Sequence, residues 1–338
     1  MHPGIAAAFA ASGGLITRAT ALDLGLSPAR IRSLVRHGEW ILVRRSVYCD
    51  AAIWHTADEY VGRPRLRARA AILTMRRAWV LSHDSAAHEL GLAILTPDEP
   101  FVHITRPGFT GAWTEYGVKH HLARYRPEQV VEVNGVQVLD IARTAIDIGR
   151  ERGVTDGLVA CDAALRMGVP RSALTEALEA MRNWPNVTSA RTAAELADAG
   201  AQDPGESLAR ELVLEAGLGP VETQFPLWIG DRVAWCDLRV GCHIFEFDGF
   251  IKYRRIEDGG FAKRPEDVIW AEKKRERKIA GEGLGVSRIL WEDFWGERRQ
   301  RAKQRLQAEY DVTVARFGDQ LPARLARAAA EIRAQRGA

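Results

Sequence analysis

The chain has 338 residues, 47 Lys and Arg against 44 Asp and Glu, and a formal net charge of +3. That length accommodates two or three domains with their own cores, and the charge balance excludes a general polycation, so any nucleic-acid surface must come from local clustering. Cys49, Cys161, Cys236 and Cys242 are scattered without a C-x-x-C pair. This spacing argues against a zinc ribbon or disulfide framework and fits a reducing, cytoplasmic setting. The opening "MHPGIAAAFAASGG" lacks the basic start of a secretory signal, and no segment is apolar enough to span a membrane.

The first sixty residues predict a winged helix-turn-helix. "TRATALDLGL" and "SPARIRSLVRHGEW" are helical, with Ser27 as N-cap and Pro28 in the first turn of the second helix, and "ILVRRSVYCD" alternates as strand. In that plan the second helix presents Arg30, Arg32 and Arg36 to the major groove, and Arg44 and Arg45 lie on the wing near phosphates. From residue 61 to 200 the chain is rich in Ala and Arg. Helices are expected at "RPRLRARAAILTMRRA", "SHDSAAHELGL", "LDIARTAIDIGRERG", "GLVACDAALRMG" and "RSALTEALEAMRN", interrupted by strand-like "FVHITR" and "GVQVL". His83, His88, His103, His120 and His121 fall here without the i, i+4 spacing beside Glu of a helical metal site, and read as structural or surface residues.

Beyond the loop at Pro204-Gly205 the expected order is α-β-β-β-α-β over residues 201 to 296, followed by basic helices over 297 to 338. If Gly241-Cys242 is a type II′ turn in "WCDLRVGCHIFEFDGF", Val240 faces His243 and Asp237 falls opposite Glu246. Trp235, Asp237, Arg239, Ile244, Glu246 and Asp248 then share one face, with Ala234, Cys236, Leu238, Val240, Phe245 and Phe247 on the other. Opposed carboxylates require a cation, and both Arg239 and a divalent metal qualify. Glu206, in the first turn of the preceding helix, supplies a fourth oxygen, or else serves the helix dipole and pairs with Arg210. The run "KKRERK" adds Lys273, Lys274 and Arg277 as candidate backbone contacts to DNA.

These residues carry two resemblances. The element order, the strand Asp, the E-x-D-G and "KKRERKIAGEGLGVSRILWEDF" resemble, over about residues 204 to 294, a domain of unknown function in the PD-(D/E)xK restriction-endonuclease-like superfamily, close to very-short-patch-repair endonucleases. That resemblance implies a Mg²⁺ or Mn²⁺ site on Glu206, Asp237 and Glu246 and hydrolysis of phosphodiester bonds, in defence or repair. Asp248 stands where the superfamily has Lys, and Lys252 where related domains have His, so Lys252, Lys273 or Lys274 would have to supply the missing ammonium. Separately, "GGLITRATALDLGLSPARIRSLVRHGEWILVRRSVYCD" resembles the winged helix of AbiEi-type antitoxins of type IV toxin-antitoxin systems, and "VLSHDSAAHELGL" the domain that follows it. This implies promoter DNA and a cognate toxin as partners, and makes a non-enzymatic repressor with a degenerate nuclease fold the alternative to a nuclease. Oligomeric state is not legible.

Overall fold

The computed structural model describes residues 3–75, 79–108, 111–249 and 275–337. The chain divides into two compact units, Met1–Ala164 with Val169–Leu196, and Leu165–Gly168 with Ala197–Ala338.

The first unit opens with α1 (Pro3–Ala11), β1 (Leu15–Thr17), α2 (Arg18–Asp23), α3 (Pro28–Arg36), β2 (Trp40–Arg44) and β3 (Val47–Asp50). Ile5, Phe9, Ile16, Ala21, Ile31, Leu34, Trp40 and Tyr48 form its core, with Phe9 edge-on to Trp40 at 5.3 Å. The three strands pair antiparallel in the order β1-β3-β2. Because residues alternate across a strand, Leu15, Val47 and Cys49 face the opposite way and bury against Leu66 and Ala70 of α5 (Gly62–Ile72), so both faces of this small sheet are covered. The short helix α4 (Ala51–Thr56) lies between, capped by Asp50, whose Oδ1 accepts the Ala52 amide at 2.9 Å.

The middle region is less helical than its composition predicts. It contains a six-stranded mixed sheet in the order β6-β7-β5-β4-β9-β8, built from β4 (Val80–Leu81), β5 (Val102–Arg106), β6 (Gly111–Glu115), β7 (Val118–Leu122), β8 (Val130–Val133) and β9 (Val136–Leu139). Leu81, Val102, Ile104, Val118, Val136 and Val138 bury against Ala68 and Ala71 of α5 and Ala86 of α6 (His83–Leu90). Four further helices complete the unit, α7 (Ile141–Arg152), α8 (Val154–Arg166, whose last residues belong to the second unit), α9 (Arg171–Ala180) and α10 (Val187–Leu196). The buried Arg143 of α7 donates from Nε to Asp147 Oδ2 at 2.8 Å and from Nη1 to the Arg124 carbonyl at 3.0 Å. Trp184 lies under the guanidinium groups of both Arg143 and Arg150, at 5.2 and 4.9 Å.

The second unit follows the expected order. Helix α11 (Pro204–Ala216) precedes β10 (Glu222–Ile229), β11 (Arg232–Val240) and β12 (His243–Asp248); residues 275–281 are helical, and β13 (Gly285–Leu290) closes a sheet ordered β10-β11-β12-β13 with β12 and β13 parallel. Helix α12 (Gly296–Phe317) packs on α11 and β13, and α13 (Ala323–Gly337) on β10. Ala302, Leu306, Leu325, Ala329 and Ile332 are buried there. These helices, expected as a separate basic tail, are therefore part of the unit's core, because each hides an apolar stripe beneath its arginines.

Candidate functional site

The sequence-predicted residues fall in two places, on α3 with its wing and on the hairpin of the second unit. In α3, Ser27 accepts the Arg30 amide at 3.1 Å and Pro28 occupies the first turn, which fixes where the helix begins. Ile31 and Leu34 then point into the core, and Arg30, Arg32 and Arg36 are left exposed. Arg32 and Arg36, four residues apart, share a face, whereas Arg30 lies about 160° around the helix from Arg32, at the edge of the buried stripe beside Leu34. Arg45 is exposed on the β2–β3 turn, where Ser46 adopts φ +64°. Arg44 behaves differently. Its Nη1 donates to the Tyr116 carbonyl at 3.0 Å, and partial burial lowers its pKa, so this side chain ties the wing to the β6–β7 turn.

The hairpin of the second unit pairs Val240 with His243, Arg239 with Ile244 and Leu238 with Phe245, in the expected register, and Gly241 has the positive φ, +55°, that its turn requires. Strict alternation stops there. The β10–β11 ladder passes from Thr223↔Leu238 to Phe225↔Cys236 without pairing Gln224 and Asp237, and Gln224 has φ +49°. Cys236, expected on the face opposite Ile244, instead shares a buried cluster with it, because this irregularity shifts the side-chain phase. Asp237 uses Oδ2 to accept the Phe247 amide at 2.8 Å. Arg239, the expected internal counter-ion, pairs with Glu222, its directly opposite neighbour, from Nε at 2.8 Å.

The carboxylates have individual partners. Glu246 Oε1 accepts from Arg275 Nη2 at 3.1 Å, and the same nitrogen bonds the Trp235 carbonyl at 2.9 Å. Asp248 Oδ2 accepts from Arg288 Nη1 at 3.3 Å. Glu206 Oε2 accepts from the Gln202 amide at 2.7 Å and from Gln224 Nε2 at 3.2 Å. Helix α11 brings Glu206 close to the hairpin because residue 205 is glycine; a Cβ there would lie 2.1 Å from the Phe247 ring. Burial, reinforced by the Asp237 charge, raises the Glu206 carboxyl to a pKa of about 7. A divalent ion held jointly by Glu206, Asp237 and Glu246 would have to draw Glu246 away from Arg275. Arg277 is exposed, and Lys252, Lys273 and Lys274 lie outside the described residues.

The raised Glu206 pKa fixes the sign of a mutational effect. The folded state holds this proton more tightly than the unfolded state, so the associated stability is complete below about pH 4.5 and lost as pH rises to about 7. Glu206→Gln, which mimics the protonated form, is expected to stabilise the protein at pH 8 by about 1–3 kcal/mol and to be neutral at pH 4. Urea midpoints at the two pH values check this; destabilisation at pH 8 would mean that the carboxylate is held by a cation.

Sequence spacing missed a third group. Among the described residues, the only set of three His, Cys, Asp or Glu side chains offering donor atoms within 4.8 Å of one another is His83, His103 and His121. They come from α6, β5 and β7, so no local spacing announces them. All three are buried.

The N-terminal helices with their two-stranded wing have the arrangement of a winged helix-turn-helix. A family model described as a transcriptional regulator, AbiEi antitoxin, matches residues 5–49, the stretch that contains α3 and the wing. No curated protein matches the chain. No helix among the described residues is long and apolar enough to cross a membrane.

Proposed function

We infer that the protein is a DNA-binding transcriptional regulator whose α3 enters the major groove. The observation that carries this is the split character of α3, with Ile31 and Leu34 buried and Arg30, Arg32 and Arg36 exposed, inside the segment matched by the regulator family. Arginine suits both phosphate and guanine edges, because its planar fork donates bidentately. Arg45 extends the basic surface at the wing turn. A cognate toxin is the second partner that the family's antitoxin description supports. The test is titration of the full chain with duplex DNA from upstream of its own gene: log affinity is expected to fall linearly with log salt, and the absence of binding at low salt would reject the reading.

A second reading assigns the second unit to metal-dependent phosphodiester hydrolysis in defence or repair. Its support is the Glu206–Asp237 proximity, two carboxylates whose mutual repulsion Mg²⁺ or Mn²⁺ would relieve. Glu246 is the third ligand in this reading, with Asp248 two residues further along the same strand. Mn²⁺-dependent nicking of plasmid DNA by the parent, lost in Asp237→Asn, is its expected result. Undiminished stability and DNA binding without nicking would leave the regulator alone.

A further inference from the structure

The geometry points to a divalent transition-metal site, of the zinc class, formed by His83, His103 and His121 within the first unit. Three elements converge on it. Strands β5 and β7 run parallel with His103 opposite Lys119 and Thr105 opposite His121, so the two histidines lie two residues apart on the same side of the sheet. His103 Nδ1 and His121 Nε2 approach to 3.0 Å. Two imidazoles on one tetrahedral ion, with metal–nitrogen distances of about 2.0–2.1 Å, place their nitrogens about 3.4 Å apart, so this pair is close to ligand spacing. His83, the first residue of α6, completes the group with all three donor atoms within 4.8 Å.

Three further observations bear on the site. His83 has φ +49°, a left-handed conformation that a non-glycine residue adopts at a cost and that recurs where geometry serves a ligand. The surrounding cations are matched by carboxylates: Arg143 and Arg150 pair with Asp147, Lys119 with Glu151, and Arg152 with Asp84 and Asp156. Burial also keeps the three rings neutral, which is the ligating form.

As placed, the His83 ring stacks on His121 at 4.0 Å with an 18° interplanar angle. A ring nitrogen's lone pair lies in the ring plane, so stacked rings do not aim at one point. Ligation therefore turns His83 out of the stack, and the proton shared between His103 and His121 moves to the far nitrogen of the ring that carries it. Three histidines leave a fourth position for water or an anion, the arrangement of an open rather than a closed zinc site.

The test is calorimetric titration of the chelator-treated full chain with Zn²⁺, repeated with His103→Gln, His121→Gln and the exposed control His55→Gln. The expected result is one ion per chain, bound at micromolar concentration or tighter. Each cluster variant should lose more than the roughly tenfold to hundredfold that an outer-shell change costs, with His55→Gln unchanged. Absence of one-to-one binding in the parent, or cluster variants that bind like the parent, overturns the assignment. Should the variants fail to fold, the ring-nitrogen NMR signals of the parent decide: Zn²⁺ must shift those of three histidines together, and unshifted buried histidines overturn it.

Discussion

Lowering the pH from 7 to 5 is expected to destabilise the first unit by several kcal/mol, on the order of its histidine linkage. Burial lowers the pKa of His88 and His121 to about 4 and of His103 to about 3, and places His83 well below its ordinary value of 6.5. Each folded-state pKa lies beneath the unfolded one. The resulting stability is therefore fully present above about pH 6.5 and is lost as pH falls toward the folded values, because the unfolded chain takes up protons that the fold refuses. A histidine held near pKa 3–4 loses about 1.4 kcal/mol per pH unit below 6.5, hence about 2 kcal/mol by pH 5, so His88, His103 and His121 together lose on the order of 6 kcal/mol, with His83 acting in the same direction. That is comparable with the whole stability of an ordinary domain, about 5–15 kcal/mol. Asp84 and Asp140, whose pKa values burial raises, oppose the trend, but from the lower reference of 3.8 and so mainly at more acid pH. Circular-dichroism melts from pH 7.5 to 5 check the prediction. A melting temperature independent of pH over this range would mean that the histidines are hydrated or already charged.

What could be read from residues alone follows from how local each signal was. Ser27 and Pro28 mark the start of α3 because a cap and a first-turn proline act within four residues. The Gly241 turn similarly specified Val240↔His243 and the next two pairs. The failure came at Gln224 and Asp237, where one skipped pair moved Cys236 to the face of Ile244; nothing in the period-two pattern encodes a skipped pair. The middle sheet was hidden for another reason. Its strands have two to five residues, β6 is exposed along its length, and Ala-rich flanking helices dominate the composition. The opening "PGIAAAFAA" is helix α1, whose small apolar residues give weak amphipathic contrast. The histidine cluster is the least legible feature, since it exists only when β5, β7 and α6 are already assembled.

The arginines of α3 are expected to carry most of the DNA affinity. Replacing Arg30, Arg32 and Arg36 together with Ala leaves Ile31, Leu34 and the Ser27 cap intact, and alanine is a good helix former, so the fold should survive. Loss of three phosphate or base contacts should weaken duplex binding by about two to three orders of magnitude at physiological salt. Arg44 is the informative contrast. Its bond to the Tyr116 carbonyl predicts that Arg44→Ala acts chiefly on stability and adds little to the salt dependence. The most direct measurement is the slope of log affinity against log salt for the parent and the triple variant. If α3 is the reading helix, the slope becomes shallower by about 2–3 units, close to 0.9 for each phosphate contact removed. An unchanged slope with unchanged affinity would contradict DNA reading by α3.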